Sequence, residues 1–234
     1  MTLRFGDAAR HCHRAVAFAL LLLGTTSCGG DSGSSPTEPV LPSGIFGVVG
    51  GSVTRFAIQG YIEVGGTRSW SFDDISAYGG GHVALWAEQV GDPGSQYWAA
   101  FAAALARHPT TSQVWWHIMV RRRDDPPPVR LTPADIADLE AVAAEIRRRA
   151  PGTSLYASPL PDFDPAVGCT APGTAGVELS RLMVDHVVEA GLAQRGPQLA
   201  PIDLTTYNGP SDPCHQGAAG RIAHGQDLAA FFGL

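Results

Sequence analysis

Nine residues in the middle of the chain, Ser112 to Val120 (SQVWWHIMV), most constrain its fold. They are apolar almost throughout instead of alternating with polar residues. That pattern reads as a strand buried on both faces, as a central parallel strand is. Parallel neighbours need crossovers of a dozen or more residues, usually helical, and the chain supplies them. Gly44 to Gly50 (GIFGVVG) is a second short buried strand, followed by a tight turn and a helix near 56–63. Tyr97 to Arg107 is an alanine-rich helix. Thr132-Pro133-Ala134-Asp135 is a helix start, with Thr at the N-cap, Pro at N1 and an acidic residue at N3. Ile136, Leu139, Ala143 and Ile146 then line one face, and Arg147 to Arg149 form a solvated C-terminal end before Pro151-Gly152. A strand at Ser154–Ser158 follows, then a helix over 175–190 that Gly191 ends. A weak apolar segment near 198–204 precedes a last helical run, Ala218 to Phe232. The stretch 65–81 is irregular, with a short strand expected near Ile75 to Tyr78. Strands alternating with helices predict an α/β domain with a mainly parallel sheet.

The chain has 234 residues, 44% of them hydrophobic, enough for one domain with a sizeable core. All 16 of its Lys+Arg residues are arginine, which reflects genome composition, and the net charge of -6 argues against a basic nucleic-acid face. The N-terminus reads as a targeting segment. Arg4, Arg10 and Arg14 precede an apolar run, Ala15 to Leu23, that is too short to span a bilayer. Gly24-Thr25-Thr26-Ser27-Cys28 then resembles a bacterial lipobox, with Thr25 where Leu is usual. Residues 1–28 are therefore expected to be a lipoprotein-type signal peptide with Cys28 as the lipidation site. Export to the bacterial envelope and a membrane partner held through the lipid follow from that reading. An ordinary secreted protein or a retained anchor are its alternatives. Removing residues 1–27, with three Arg and one Asp, would leave a net charge of -8. Residues 29–42 (GGDSGSSPTEPVLP) are a Gly/Ser/Pro tether, and residues 43–234 are the folded domain.

Cys12 would leave with the signal and Cys28 would carry lipid, so Cys169 and Cys214 remain in an oxidising compartment. A disulfide between them is the default. A metal site using Cys169, Cys214 and His215 lacks CxxC or HxxxH spacing.

Candidate chemistry lies in Ser211-Asp212-Pro213-Cys214-His215-Gln216-Gly217. A carboxylate three residues before an imidazole, in a turn stiffened by proline, suggests a pair in which the acid fixes the ring's tautomer and stabilises its protonated form. Such a pair needs a nucleophile. In open parallel sheets, sites form beyond the carboxyl ends of the strands. The first strand ends at Gly50-Gly51-Ser52-Val53-Thr54, so Ser52 is the candidate.

A glycine-flanked serine near the start and Asp212-Pro213-Cys214-His215 near the end resemble the GDSL/SGNH hydrolase family over roughly 44–234. The flanks Ile45 to Val49 and Gly217 to Gly220 agree with it. The resemblance implies a three-layer α/β/α sandwich with a flavodoxin-like, five-stranded sheet. It implies a serine esterase acting on acyl esters, carbohydrate acetyl esters among them, with Ser52 as nucleophile, His215 as base and Asp212 as its orienter. No metal or organic cofactor is implied. The oxyanion hole would use the Ser52 N–H and a glycine N–H from Tyr78-Gly79-Gly80-Gly81-His82, with Gly81 favoured and Gly80 second. The family's third donor is an asparagine, and here Arg121 stands at its position. That arginine can donate to an oxyanion or hold an anionic part of a substrate. The acidic residue usual beside the serine is Gly51. A surface binding protein that has lost turnover, or an acyltransferase using the same triad, are the alternative readings.

Other residues are expected to be structural. His117 alternates with core residues, His224 reads as a surface or structural histidine, and the five tryptophans read as core, although His82 could line the site. Asp73-Asp74 and Asp124-Asp125, on solvated loops, do not place two carboxyls across a sugar.

Overall fold

The computed structural model describes residues 44–234, so the predicted signal segment, Cys28 and the linker lie outside the described residues. Four strands form one all-parallel sheet in the order β1-β2-β3-β4: β1 Ile45–Val49, β2 Thr111–Ile118, β3 Ser154–Pro159 and β4 Gln194–Arg195. The helices are α1 Ser52–Glu63, α2 Val83–Glu88, α3 Gln96–Arg107, α4 Pro133–Arg149, α5 Gly176–Glu189 and α6 Ala218–Phe232. The architecture is α/β, as the alternating pattern requires. Helix α1 packs on α6, while α4 packs on α2 and α5, which is compatible with helical layers on both faces of the sheet. Among the described residues no helix is long and apolar enough to cross a membrane.

Among the described residues the sheet has four strands instead of the expected five. In place of a fifth, a single parallel bridge joins Phe46 to Ser69, with Phe46 N–H donating to Arg68 O and Trp70 N–H to Phe46 O. The strand expected at 75–78 is a 3-10 helix, Asp73–Tyr78. Its turn is closed by side chains: Asp74 accepts from the Ser71 N–H and hydroxyl, and Ser71 Oγ accepts from the Asp74 N–H. Local bonds of this kind compete with a sheet ladder for the same backbone. Asp74 is not on a solvated loop. It is buried against Arg107 and His108. Burial alone would raise its pKa, but the hydrogen bonds from Ser71, His108 and Arg107 outweigh it and hold the carboxyl down at about 2. The last strand falls at 194–195, ahead of the weak apolar segment, where Ile202 makes only an isolated bridge to Phe163.

Strand β2 lies between β1 and β3, pairing Trp115 with both Val48 and Tyr156. All five tryptophans are in the core. Four of their indole N–H groups have acceptors: Trp70 on Thr111 Oγ1, Trp86 on Gly50 O, Trp98 on Trp86 O and Trp115 on Ser158 Oγ. Buried indoles need such partners. Thr132 and Asp135 form the reciprocal capping box expected for α4. In the arginine run ending that helix, Arg147 and Arg148 are exposed as expected, while Arg149 is half-buried; Arg148 and Arg149 both pair with buried Glu145, and Arg149 lies over the Trp98 ring.

The contact that matters most for the site is between α1 and α6. The two backbones meet at Gly60 and Gly225. A Cβ on Gly60 would lie 1.8 Å from Arg221 O, and one on Gly225 would lie 2.3 Å from Gly60 O. Neither position accepts a side chain without moving a helix. Helix α1 begins at Ser52 and α6 begins three residues after His215, so this crossing sets where those two side chains meet.

Candidate active site

Helix α1 starts four residues earlier than its apolar pattern predicts, and Ser52 is its first residue. The Ser52 N–H is one of the orphan donors of a helix N-terminus, and the helix dipole adds partial positive charge there. Ser52 Oγ lies 2.7 Å from His215 Nε2, and His215 Nδ1 lies 2.5 Å from Asp212 Oδ1. The other carboxylate oxygen, Oδ2, accepts from the Asn208 amide at 2.8 Å. Burial acts to raise the Asp212 pKa, but the bonds from Asn208 and His215 outweigh it and hold the carboxyl below its ordinary value. Phe56, one turn beyond Ser52, packs on the imidazole with ring centroids 5.0 Å apart. The three residues singled out from sequence therefore form one continuous hydrogen-bonded chain, although Ser52 and His215 are 163 residues apart.

Two buried, neutral histidines anchor the serine turn through separate relays. His117 has its pKa depressed to about 3, mainly by burial. Its Nε2 faces Pro159 O at 3.2 Å, and its Nδ1 faces Thr54 Oγ1 at 2.9 Å. Thr54 Oγ1 in turn accepts the Gly51 N–H at 3.0 Å. Because a carbonyl can only accept, the neutral ring carries its proton on Nε2, and the Thr54 hydroxyl donates to Nδ1. His224 is also buried, with its pKa lowered by burial. It donates from Nε2 to Ala200 O, and its Nδ1 accepts from the Gln216 amide, which also reaches Val53 O. Gln216 follows His215, so this second relay ties the histidine loop to α1.

The glycine loop resolves differently from the sequence preference. Tyr78 to Gly81 is a type II turn: Gly79 has φ -55° and ψ 124°, Gly80 has φ 72°, and the Gly81 N–H donates to Tyr78 O at 3.1 Å. The Gly81 N–H is therefore occupied. Its lack of a side chain is a packing requirement, since a Cβ would lie 2.3 Å from Gly50 O. Gly80 lines the cavity beside Ser52, and its N–H makes no hydrogen bond among the described residues. The Tyr97 hydroxyl donates to Gly79 O at 3.0 Å, which fixes the peptide plane that carries the Gly80 N–H.

The cavity has a volume of about 240 Å³. Ser52, Gly80 and His215 line it, with an apolar wall that includes Met119, Leu160, Phe163 and Pro172. Arg121 and His82 line it too. His82 Nδ1 accepts the Leu85 N–H at 3.3 Å, and burial, with the nearby Arg121 charge, lowers the ring's pKa. Cys169 and Cys214 form a disulfide, with Cα atoms 4.7 Å apart, on the cavity wall directly beside His215.

The sequence reading gives no role to Thr54, Tyr97, Asn208 or Gln216, although Thr54 and Gln216 stand inside the serine and histidine motifs. Asn208, in an Asn-Gly-Pro turn four residues before Asp212, carries a weak local signal. The contacts that give Thr54, Tyr97 and Gln216 their roles reach other segments: Thr54 to His117, Tyr97 to Gly79 and Gln216 to Val53. No protein-family model matches the chain, and no curated protein matches it.

Proposed function

We propose that this chain is a serine esterase that hydrolyses acyl esters through an acyl-serine intermediate. The hydrogen-bonded chain from Ser52 through His215 to Asp212 carries this reading. With Asp212 accepting the Nδ1 proton, the Nε2 lone pair faces the Ser52 hydroxyl. Ser52 Oγ attacks the ester carbonyl, and its proton passes to Nε2. The imidazolium, stabilised by Asp212, then protonates the departing alcohol. Water then attacks the acyl-serine carbonyl as His215 takes its proton; the bond to Ser52 Oγ breaks, the imidazolium returns the proton to Oγ, and the acyl group leaves as a carboxylic acid. The Ser52 and Gly80 N–H groups are the available donors for the tetrahedral oxyanion, and loss of one such donor costs roughly 100- to 1,000-fold in rate.

The same reading takes the domain as an SGNH-type three-layer sandwich lacking its edge strand. It takes Cys28 as the lipid anchor that holds an exported enzyme at a membrane. The test is covalent labelling of the purified protein with a fluorophosphonate, location of the adduct by peptide mass, and turnover of short p-nitrophenyl esters. Adduct on Ser52 with ester turnover, both abolished in Ser52→Ala and His215→Ala, is the expected result. Neither labelling nor turnover in the folded protein would leave a binding protein, and turnover only with an added alcohol acceptor would make it an acyltransferase.

A further inference from the structure

Three consecutive arginines, Arg121, Arg122 and Arg123, leave the end of β2, and only two are neutralised. Arg122 pairs with Asp124 at 2.8 Å, and its guanidinium also reaches Thr170 O. Arg123 pairs with Asp125 at 2.9 Å and Asp135 at 3.1 Å. Arg121 has neither a hydrogen bond nor an ion pair among the described residues, yet it lines the cavity that holds Ser52. Asp135 and Asp138 line a small adjoining cavity with Arg121, but neither bridges to it.

His82 adds a second donor to the wall. With Nδ1 accepting from Leu85 N–H, the neutral ring carries its proton on Nε2, which has no partner among the described residues. No carboxylate lines this cavity. In a chain of net charge -6, its wall thus combines an uncompensated cation, a free imidazole donor and apolar side chains. At about 240 Å³ it is also smaller than the roughly 300–1,000 Å³ of sites for drug-sized ligands.

From this arrangement we infer that the preferred substrates are small esters bearing an anionic group, with Arg121 as the residue that binds the anion. The inference rests on the esterase reading and adds a substrate class to it. A guanidinium pairs bidentately with a carboxylate or an equivalent planar anion, and such charge-assisted bonds are the strong ones. The anion can sit on the acyl side, as in a monoester of a short dicarboxylic acid, or on the alcohol side.

The experiment compares wild type with Arg121→Gln on matched neutral and anionic esters. 4-Nitrophenyl butyrate against the 4-nitrophenyl monoester of glutaric acid probes an acyl-side anion. Phenyl acetate against 4-acetoxybenzoate probes an alcohol-side one. The readout is the wild-type to variant ratio of kcat/KM for each ester, which cancels differences in intrinsic reactivity. The anionic member of one pair is expected to lose about 10- to 100-fold more than its neutral partner, mainly through KM. The pair that responds identifies the side on which the anion sits. Equal losses through kcat on both members would make Arg121 an oxyanion donor and overturn the inference, as would no loss on either.

A binding arm separates this result from the esterase reading. Calorimetric titration of Ser52→Ala with monomethyl glutarate and with methyl butyrate needs no turnover. Selective binding of the anion, lost in Ser52→Ala/Arg121→Gln, supports the anion site even if no ester is hydrolysed. Equal binding of both compounds, or of neither, overturns it.

Discussion

Replacing Gly60 with alanine tests whether the α1–α6 crossing holds the candidate site together. The added Cβ would sit 1.8 Å from Arg221 O and 2.4 Å from its carbonyl carbon. An ordinary contact needs at least about 3.4 Å, so one helix must move by on the order of 1.5 Å or bend. Overpacking a tight interior costs about 1–3 kcal/mol. This collision is with backbone, which cannot rotate away, so the upper end, about 3 kcal/mol, applies. Alanine returns about 1 kcal/mol of helix propensity relative to glycine. The net expected loss is about 2 kcal/mol. With a urea m-value of about 2 kcal/mol/M, the unfolding midpoint should fall by about 1 M. The same displacement separates Ser52 at the head of α1 from His215 just ahead of α6, so the 2.7 Å contact between them lengthens and fluorophosphonate labelling should slow. Urea titration followed by tryptophan fluorescence reads the first effect, and labelling kinetics at low urea read the second. A variant with the wild-type midpoint would refute the packing argument. A destabilised variant that labels at the wild-type rate would refute the link from that packing to the site.

Thr54→Val keeps the side chain's shape but leaves the Gly51 N–H and His117 Nδ1 without their partner, which should cost about 2 kcal/mol or more in urea unfolding. An unchanged midpoint would sink the proposed relay. Removing the disulfide with Cys169→Ala/Cys214→Ala opens a loop of sequence separation 45, for which the chain-entropy model gives about 4 kcal/mol as an upper figure. Intact mass of the wild-type domain should show no free thiol at Cys169 or Cys214, and two titratable thiols there would contradict the bridge. Asp74 has a folded pKa of about 2, below its ordinary 3.8, so its contribution is complete above about pH 4 and is lost as pH falls through 2. That contribution is about 2 kcal/mol. Asp74→Asn should lower the urea midpoint at pH 5 and narrow the gap to wild type near pH 2, and a gap that does not depend on pH would be the opposing result.

Much of the fold was legible because strands and helices announce themselves locally. The apolar run at 112–120 needed only its own composition to be read as a central strand, and Thr132-Pro133 with Asp135 marked the start of α4 to the residue. The errors fall where side chains compete with that pattern. Ile75 to Tyr78 has a strand's residues, but the Ser71–Asp74 bonds close it into a 3-10 turn. His224 carries no sign of burial in its own helix, because the Gln216 amide and Ala200 O that satisfy it come from outside that helix.

For the candidate site, the residue types and their order were in the chain: a serine at a glycine turn after the first strand, and an Asp-x-x-His near the end. Spacing alone placed Asp212 beside His215, since three residues of turn leave little freedom. Whether Ser52 reached that pair was decided only by tertiary structure, through two glycines that let α1 and α6 touch. So was the choice between neighbouring glycines, because a turn hydrogen bond occupies the Gly81 N–H and leaves that of Gly80 open. The identity of the one unpaired arginine among three is a property of the same kind. Periodicity and capping report forces within a few residues, whereas a donor's availability depends on what every other segment has already taken.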